Sequence, residues 1–121
     1  MKVADRIEQA SACEVINLTD SEKSIYSGAG WKIARFARGA LVDIFDPMNV
    51  HYNADEKAMT RAAVDQAIAW MDDKHNCGDE FVLVMCSCYQ LCDPRVIAPA
   101  DASGIARMAR LIHEQFIFGQ E

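Results

Sequence analysis

The pattern of hydrophobic and polar positions predicts a β-hairpin in the first half of the chain. Two strand-like runs, residues 31–37 and 40–45, flank Arg38-Gly39. Because a two-residue turn that ends in glycine suits the twist of paired antiparallel strands, a hairpin is the natural interpretation. The segment Ser27-Gly28-Ala29-Gly30 precedes the hairpin and is typical of a turn rather than of a phosphate-binding loop, since a strand and not a helix follows it.

A second pattern, with hydrophobic residues three or four positions apart, predicts the longest helix. Residues 53–56 have the polar-x-x-Glu form of a helix start, and the helix is expected to end near Lys74. Charged residues occupy the opposite side, as in an amphipathic helix. The hydrophobic stripe comprises Met59, Ala63, Val64, Ala67, Ile68 and Met71.

The N-terminal region is less clearly patterned. Hydrophobic spacing predicts a short amphipathic helix over residues 2–11, whereas residues 13–18 fit a strand or a continued helix. Thr19 and Glu22 form a possible capping box that would start one or two helical turns.

In the second half, residues 81–86 are hydrophobic on both faces, which is typical of a central strand. Residues 93–99 are interpreted as a loop, because they include two prolines. A last amphipathic helix is predicted from the stripe Ile105, Met108, Ala109, Ile112 and Phe116.

These elements predict an α+β fold in which a small antiparallel sheet, a hairpin plus a central strand, is packed by two to three amphipathic helices. The 121 residues suit a single domain spanning positions 1–121. No hydrophobic run approaches the length of a membrane-spanning helix, and the N-terminus lacks the hydrophobic core of a signal peptide. We therefore expect a cytoplasmic protein without membrane contact.

Charge indicates the kind of partner. The net charge is −6, and the 12 basic residues are dispersed. Direct nucleic-acid binding is disfavoured, because it requires clustered Lys and Arg. An acidic surface instead suits a protein partner with a basic surface.

The cysteines are the most unusual local feature. Cys86 and Cys88 are two residues apart and, on a strand, would share a side with Cys92. Zinc sites normally use tighter Cys-x-x-Cys turns, so we expect small buried hydrophobic residues, reduced thiols and no cofactor. An alternative remains a thiol- or metal-dependent site built from these three with His75 and Cys77, of which Cys77 is the first choice for a reactive thiol.

The middle of the chain resembles a known group of proteins. The segment Tyr26-Ser27-Gly28-Ala29-Gly30-Trp31, the hairpin, and the helix that opens at Asn53-Ala54-Asp55-Glu56 and ends at Ala69-Trp70-Met71-Asp72-Asp73 resemble the layout of small acidic phage-encoded anti-CRISPR proteins of the DNA-mimic type. The resemblance covers residues 26–73. It implies a non-enzymatic inhibitor that places acidic residues against a Lys/Arg-lined channel, namely Asp55, Glu56, Asp65, Asp72 and Asp73.

This chain departs from that group in two respects. It carries a further strand and helix, and four arginines reduce its acidity: Arg35, Arg38, Arg107 and Arg110.

No catalytic motif is recognisable, so the sequence favours a binding or inhibitor module from a phage or mobile element. Trp70 would add an aromatic anchor to the five acidic residues if it is exposed. Besides the thiol or metal site, a homodimer that buries the hydrophobic edge of its hairpin or last helix remains an alternative.

Overall fold

The computed structural model describes residues 1–46, 56–74 and 78–99, except for the side chains of residues 31, 56–64, 98 and 99. The chain begins with a 3-10 turn, Val3–Arg6. The strands are β1 (Glu8–Ala10), β2 (Cys13–Asn17), β3 (Gly30–Ala37), β4 (Ala40–Phe45), β5 (Glu80–Ser87) and β6 (Gln90–Pro99), and the α-helices are α1 (Asp20–Lys23) and α2 (Glu56–Lys74).

The six strands form one antiparallel sheet in the order β1-β2-β6-β5-β3-β4. In the described part of the chain, α2 is the only long helix, because the other two helical segments have four residues each. The predicted small sheet packed by two to three helices is therefore wrong. The predicted last helix lies outside the described residues.

The predicted helix over residues 2–11 is also wrong. Only Val3–Arg6 is helical, and Glu8–Ala10 instead pairs with β2 around a turn at Ser11, whose φ is +51°. The undecided segment that follows is a strand, because Val15–Asn17 also pairs with β6. That partner lies in the last strand, where local hydrophobic spacing cannot reveal it.

The predicted hairpin is confirmed as β3 and β4. Ala37 pairs with Ala40 across Arg38 and Gly39, whose φ angles are +53° and +82°. A Cβ at Gly39 would lie 2.9 Å from Cγ of Met1, so both the backbone angle and the space favour glycine. The predicted central strand is confirmed as β5, which lies between β3 and β6.

The loop predicted over residues 93–99 is instead part of β6. The pairing with β5 shifts by one residue between Cys92 and Arg95, and Asp93 at that bulge has a φ of +48°. A bulge allows Pro94 in a strand, because the missing N–H is not needed by the ladder there. Proline therefore marked an irregularity in this strand and not its end.

Each face of the sheet carries a hydrophobic core. On the α2 face, Ala67 and Met71 of the helix pack against strand residues, as the predicted stripe requires; the buried set is Ile33, Ala67, Met71, Phe81, Leu83 and Ile97. The opposite face, here called the N-terminal face, buries Val3, Ile16, Leu18, Ala34, Phe36, Leu41, Val82, Val84, Cys86 and Leu91. β3 and β5 contribute to both cores.

Candidate functional site

The solvent-facing side of the second half of α2 is acidic. Asp65, Asp72 and Asp73 are exposed, whereas Ala67 and Met71 on the other side of the helix are fully buried. Asp72 follows Asp65 by about two helical turns, so these two carboxylates point in nearly the same direction, and Asp73 is turned by about 100° from Asp72. We call these three residues the acidic surface of α2.

The other predicted partner-binding residues do not add to this surface in the described structure. Asp55 lies outside the described residues, and Glu56 begins α2 but its side chain is not described. Trp70 is half-buried on the inner side of the helix. Its ring stacks on Phe45 with centroids 5.2 Å apart and meets the edge of Phe81 at 5.8 Å. Trp70 therefore packs against the core and does not stand beside the aspartates.

Cys86, Cys88 and Cys92 were expected to share one side of a strand, and they do not. Cys86 pairs with Leu91 and is buried on the N-terminal face, whereas Cys92 pairs with Met85 in the next register position and so points to the α2 face. Cys88 lies in the turn between β5 and β6 and is exposed. His75 and Cys77 lie outside the described residues. Within the described ranges, no three His, Cys, Asp or Glu side chains are placed to hold a metal ion.

The buried thiol is a poor nucleophile. Burial raises the pKa of Cys86 to about 11, although the positive charge of Lys32 opposes the shift. Burial also raises the pKa of Cys92, with further contributions from Cys13 and Asp93. Since the thiolate is the reactive form, neither residue is activated for chemistry near neutral pH.

A buried ion pair that the sequence did not reveal joins the N-terminal segments to the hairpin. Arg6 donates to both carboxylate oxygens of Glu22, at 2.6 and 2.7 Å, and also to the carbonyl oxygens of Asn17 and Gly39. The same carboxylate accepts the backbone N–H of Thr19 at 2.9 Å and of Leu41 at 2.6 Å. The capping box of Thr19 and Glu22 was the available signal, and it is confirmed, but it indicated neither Arg6 nor β4.

Glu22 is kept ionised by these contacts. Burial alone would raise its pKa, but the hydrogen bonds from Arg6, Thr19 and Leu41 together with the charge of Arg6 outweigh burial and lower the pKa to about 2. A carboxylate satisfied in this way has a structural role, because all of its hydrogen-bonding capacity is used within the fold.

The other buried charges are paired in the same manner. Lys32 donates to Asp46 at 2.7 Å, and Arg35 donates through Nη1 to Asp79 at 2.8 Å. The first pair joins β3 to the residue after β4, and the second joins β3 to the residue before β5, where Nε of Arg35 is buried without a hydrogen-bond partner. They leave no buried charge among the described residues that lacks an ion partner.

An aromatic pair lies at the β5–β6 turn. The ring of Tyr26 lies 4.7 Å from that of Tyr89, which is 55% exposed. A groove of about 410 Å³ adjoins the turn and is lined by Leu18, Lys23, Cys88 and neighbouring polar residues. No sequence pattern predicted that these two tyrosines would meet, because Tyr89 is brought to Tyr26 by the β5–β6 hairpin.

Comparisons of the chain with protein-family models, curated proteins and solved structures gave no match. Among the described residues, no helix has the length and hydrophobicity required to cross a membrane.

Proposed function

We propose that this chain is a non-enzymatic binding module that acts as an inhibitor. The acidic surface of α2 binds a basic surface of a protein partner. The observation that carries the proposal is the outward projection of Asp65, Asp72 and Asp73 from a helix whose other side is buried. A packed helix holds the carboxylates at fixed spacing, so little order must be gained on binding.

The negative charge of this surface suits a partner that normally binds nucleic acid, because such a partner carries clustered Lys and Arg. Asp65 and Asp72 are about 10 Å apart along the helix axis, at a rise of about 1.5 Å per residue. Asp73 directly follows Asp72, and its Oδ2 lies 3.9 Å from Nζ of Lys74, so the surface places one carboxylate at one end and two at the other. The net charge of −6 and the resemblance to DNA-mimic anti-CRISPR proteins support a Lys/Arg-lined channel as the partner surface.

We further propose a cytoplasmic location. The four described cysteines are all free, which suits a reducing compartment.

Inhibition of DNA binding tests the proposed partner. The protein is added to purified CRISPR surveillance complexes, and their binding to labelled target DNA is measured. We expect the wild type to block binding with at least one complex. Neutralising the acidic surface with Asp65→Asn, Asp72→Asn and Asp73→Asn should weaken inhibition by roughly tenfold or more, since complementary charges orient and accelerate association.

A matched variant separates position from total charge. Glu14, Asp20 and Asp93 are exposed and belong to β2, α1 and β6, so Glu14→Gln, Asp20→Asn and Asp93→Asn remove the same charge without changing α2. These changes should leave inhibition intact. Equal weakening by the two triple variants would assign the effect to net charge, and no inhibition of any complex by the wild type would refute the DNA-mimic proposal.

A further inference from the structure

Among the strands that the structure describes, β4 is the longer of the two at the edges of the sheet. It has six residues, whereas β1 at the opposite edge has three. An outer strand presents unpaired backbone N–H and C=O groups with which a strand of another molecule can pair. β4 is therefore the edge at which a second copy of this chain would most readily extend the sheet.

The N–H groups of Leu41 and Ile44 are directed away from β3. Ala37 and Ala40 flank the two-residue turn and form its closing hydrogen-bonded pair. The next pair, Phe36 with Leu41, is therefore of the non-hydrogen-bonded type, which turns the N–H of Leu41 outward. Beyond the bulge, the N–H of Ile44 likewise donates outside the β3–β4 ladder.

A carboxylate occupies each of these donors. Glu22 Oε2 accepts the N–H of Leu41 at 2.6 Å, and Asp43 Oδ1 accepts the N–H of Ile44 at 2.9 Å. An incoming strand would have to offer its carbonyl oxygens to the same N–H groups, where it would meet an acceptor already bound and a negative charge. The neighbouring Val42 is 39% exposed, so the edge has hydrophobic character without this protection.

We propose that Glu22 and Asp43 close the β4 edge and so prevent a second copy of the chain from adding its own β4 in antiparallel fashion. Glu22 also joins several segments of the fold, so its removal would disturb more than the edge. Asp43 lies on β4 itself and is the residue at which the proposal can be tested.

The experiment compares the mass of variants in solution by light scattering over protein concentrations of about 10 to 500 µM. Asp43→Val removes the acceptor and the charge and should convert the wild-type monomer to a species of twice its mass. Asp43→Asn keeps an acceptor oxygen and should oligomerise less than Asp43→Val. Adding Val42→Lys to Asp43→Val should restore the monomer, because a lysine on an edge strand opposes pairing.

Glu14→Val, at an exposed position of the inner strand β2, controls for the general effect of an added hydrophobic side chain. Circular dichroism confirms that each variant is folded. The proposal is overturned if the wild type is already dimeric at these concentrations, if Asp43→Val stays monomeric, or if Glu14→Val associates to the same extent.

Discussion

Four N–H donors converge on the carboxylate of Glu22, which is 4% exposed: two from the Arg6 guanidinium and one each from the backbone of Thr19 and Leu41. Transfer of a charge from water to such a site is unfavourable unless hydrogen bonds replace the lost hydration. Here four hydrogen bonds replace the lost hydration of the carboxylate. The ionised form of Glu22 therefore stabilises the native fold.

The pH dependence of stability follows from this site. The pKa of Glu22 is about 2 in the folded protein and about 4.5 without the fold, so its contribution is complete above pH 4.5 and is lost as the pH falls toward 2. The full contribution is on the order of 3 kcal/mol. We expect the free energy of unfolding, measured by urea denaturation, to fall more steeply from pH 5 to pH 2.5 in the wild type than in Glu22→Gln.

Arg6→Lys is the matched variant for this prediction. It keeps the positive charge but loses the two parallel hydrogen bonds, which lysine cannot reproduce. Its pH dependence should lie between those of the wild type and Glu22→Gln. Identical pH dependence in the wild type and Glu22→Gln would show that Glu22 is not the titrating group.

At the scale of the element, the β5–β6 turn is built from residues that rarely form such turns. Cys88 and Tyr89 have φ angles of +50° and +60°, and Asn-Gly is the usual pair at these two positions. A side chain with a Cβ is strained in this region of backbone space, and Asn tolerates it better than most others. The contact between the rings of Tyr89 and Tyr26 offsets part of this backbone strain.

Substitutions at Cys88 should change stability in opposite directions. Because the side chain is exposed, its replacement removes little packing. Cys88→Asn should raise the free energy of unfolding by about 0.5 kcal/mol, and Cys88→Val should lower it by about 1 kcal/mol, since a β-branched residue is disfavoured at positive φ. Thermal or urea denaturation measures both, and a stabilising effect of valine would contradict the backbone argument.

The same turn shows why sequence patterns predicted some elements and missed others. Arg38-Gly39 has a glycine and predicted its hairpin, whereas Cys88-Tyr89 has none. Pro94 follows soon after, so the sequence suggested a loop over residues 93–99, which belong to β6. β5 and the end of α2 were predictable because their hydrophobic patterns are local and uninterrupted.

The candidate site was predicted in part: the exposed aspartates were, and the position of Trp70 was not. Helical periodicity placed Asp65 and Asp72 opposite the hydrophobic stripe, and the resemblance added Asp73; all three are exposed. Trp70 could not be assigned in this way, because its contacts with Phe45 and Phe81 depend on where the helix crosses the sheet.

At the scale of the whole molecule, β3 and β5 connect the two cores. Ile33 and Phe81 face α2, whereas Phe36 and Val84 from the same two strands face the opposite side. Neither core can lose its strands without exposing the other, so the described sheet should unfold as one cooperative unit.

Phe36→Ala tests this cooperativity. Phe36 is fully buried on the N-terminal face, and its truncation should cost about 3 to 5 kcal/mol. Trp70 reports on the α2 face, and a Trp31→Phe background makes it the only tryptophan. We expect Trp70 fluorescence and far-UV circular dichroism to report the same midpoint of urea unfolding, at a lower urea concentration than without Phe36→Ala. Separate transitions would mean that the two faces unfold independently.

The position of β2 in the sheet has a consequence for synthesis in the cell. Gln90 of β6 donates to Asn17 of β2 across a separation of 73 residues, and β6 is the strand that joins the β1–β2 hairpin to the rest of the sheet. At roughly 5 to 20 residues per second, a ribosome needs several seconds to produce β6 after β2 has been made. During that interval the β1–β2 hairpin lacks β6, the strand with which β2 pairs in the folded protein. The described sheet is completed only when β6 has left the ribosome.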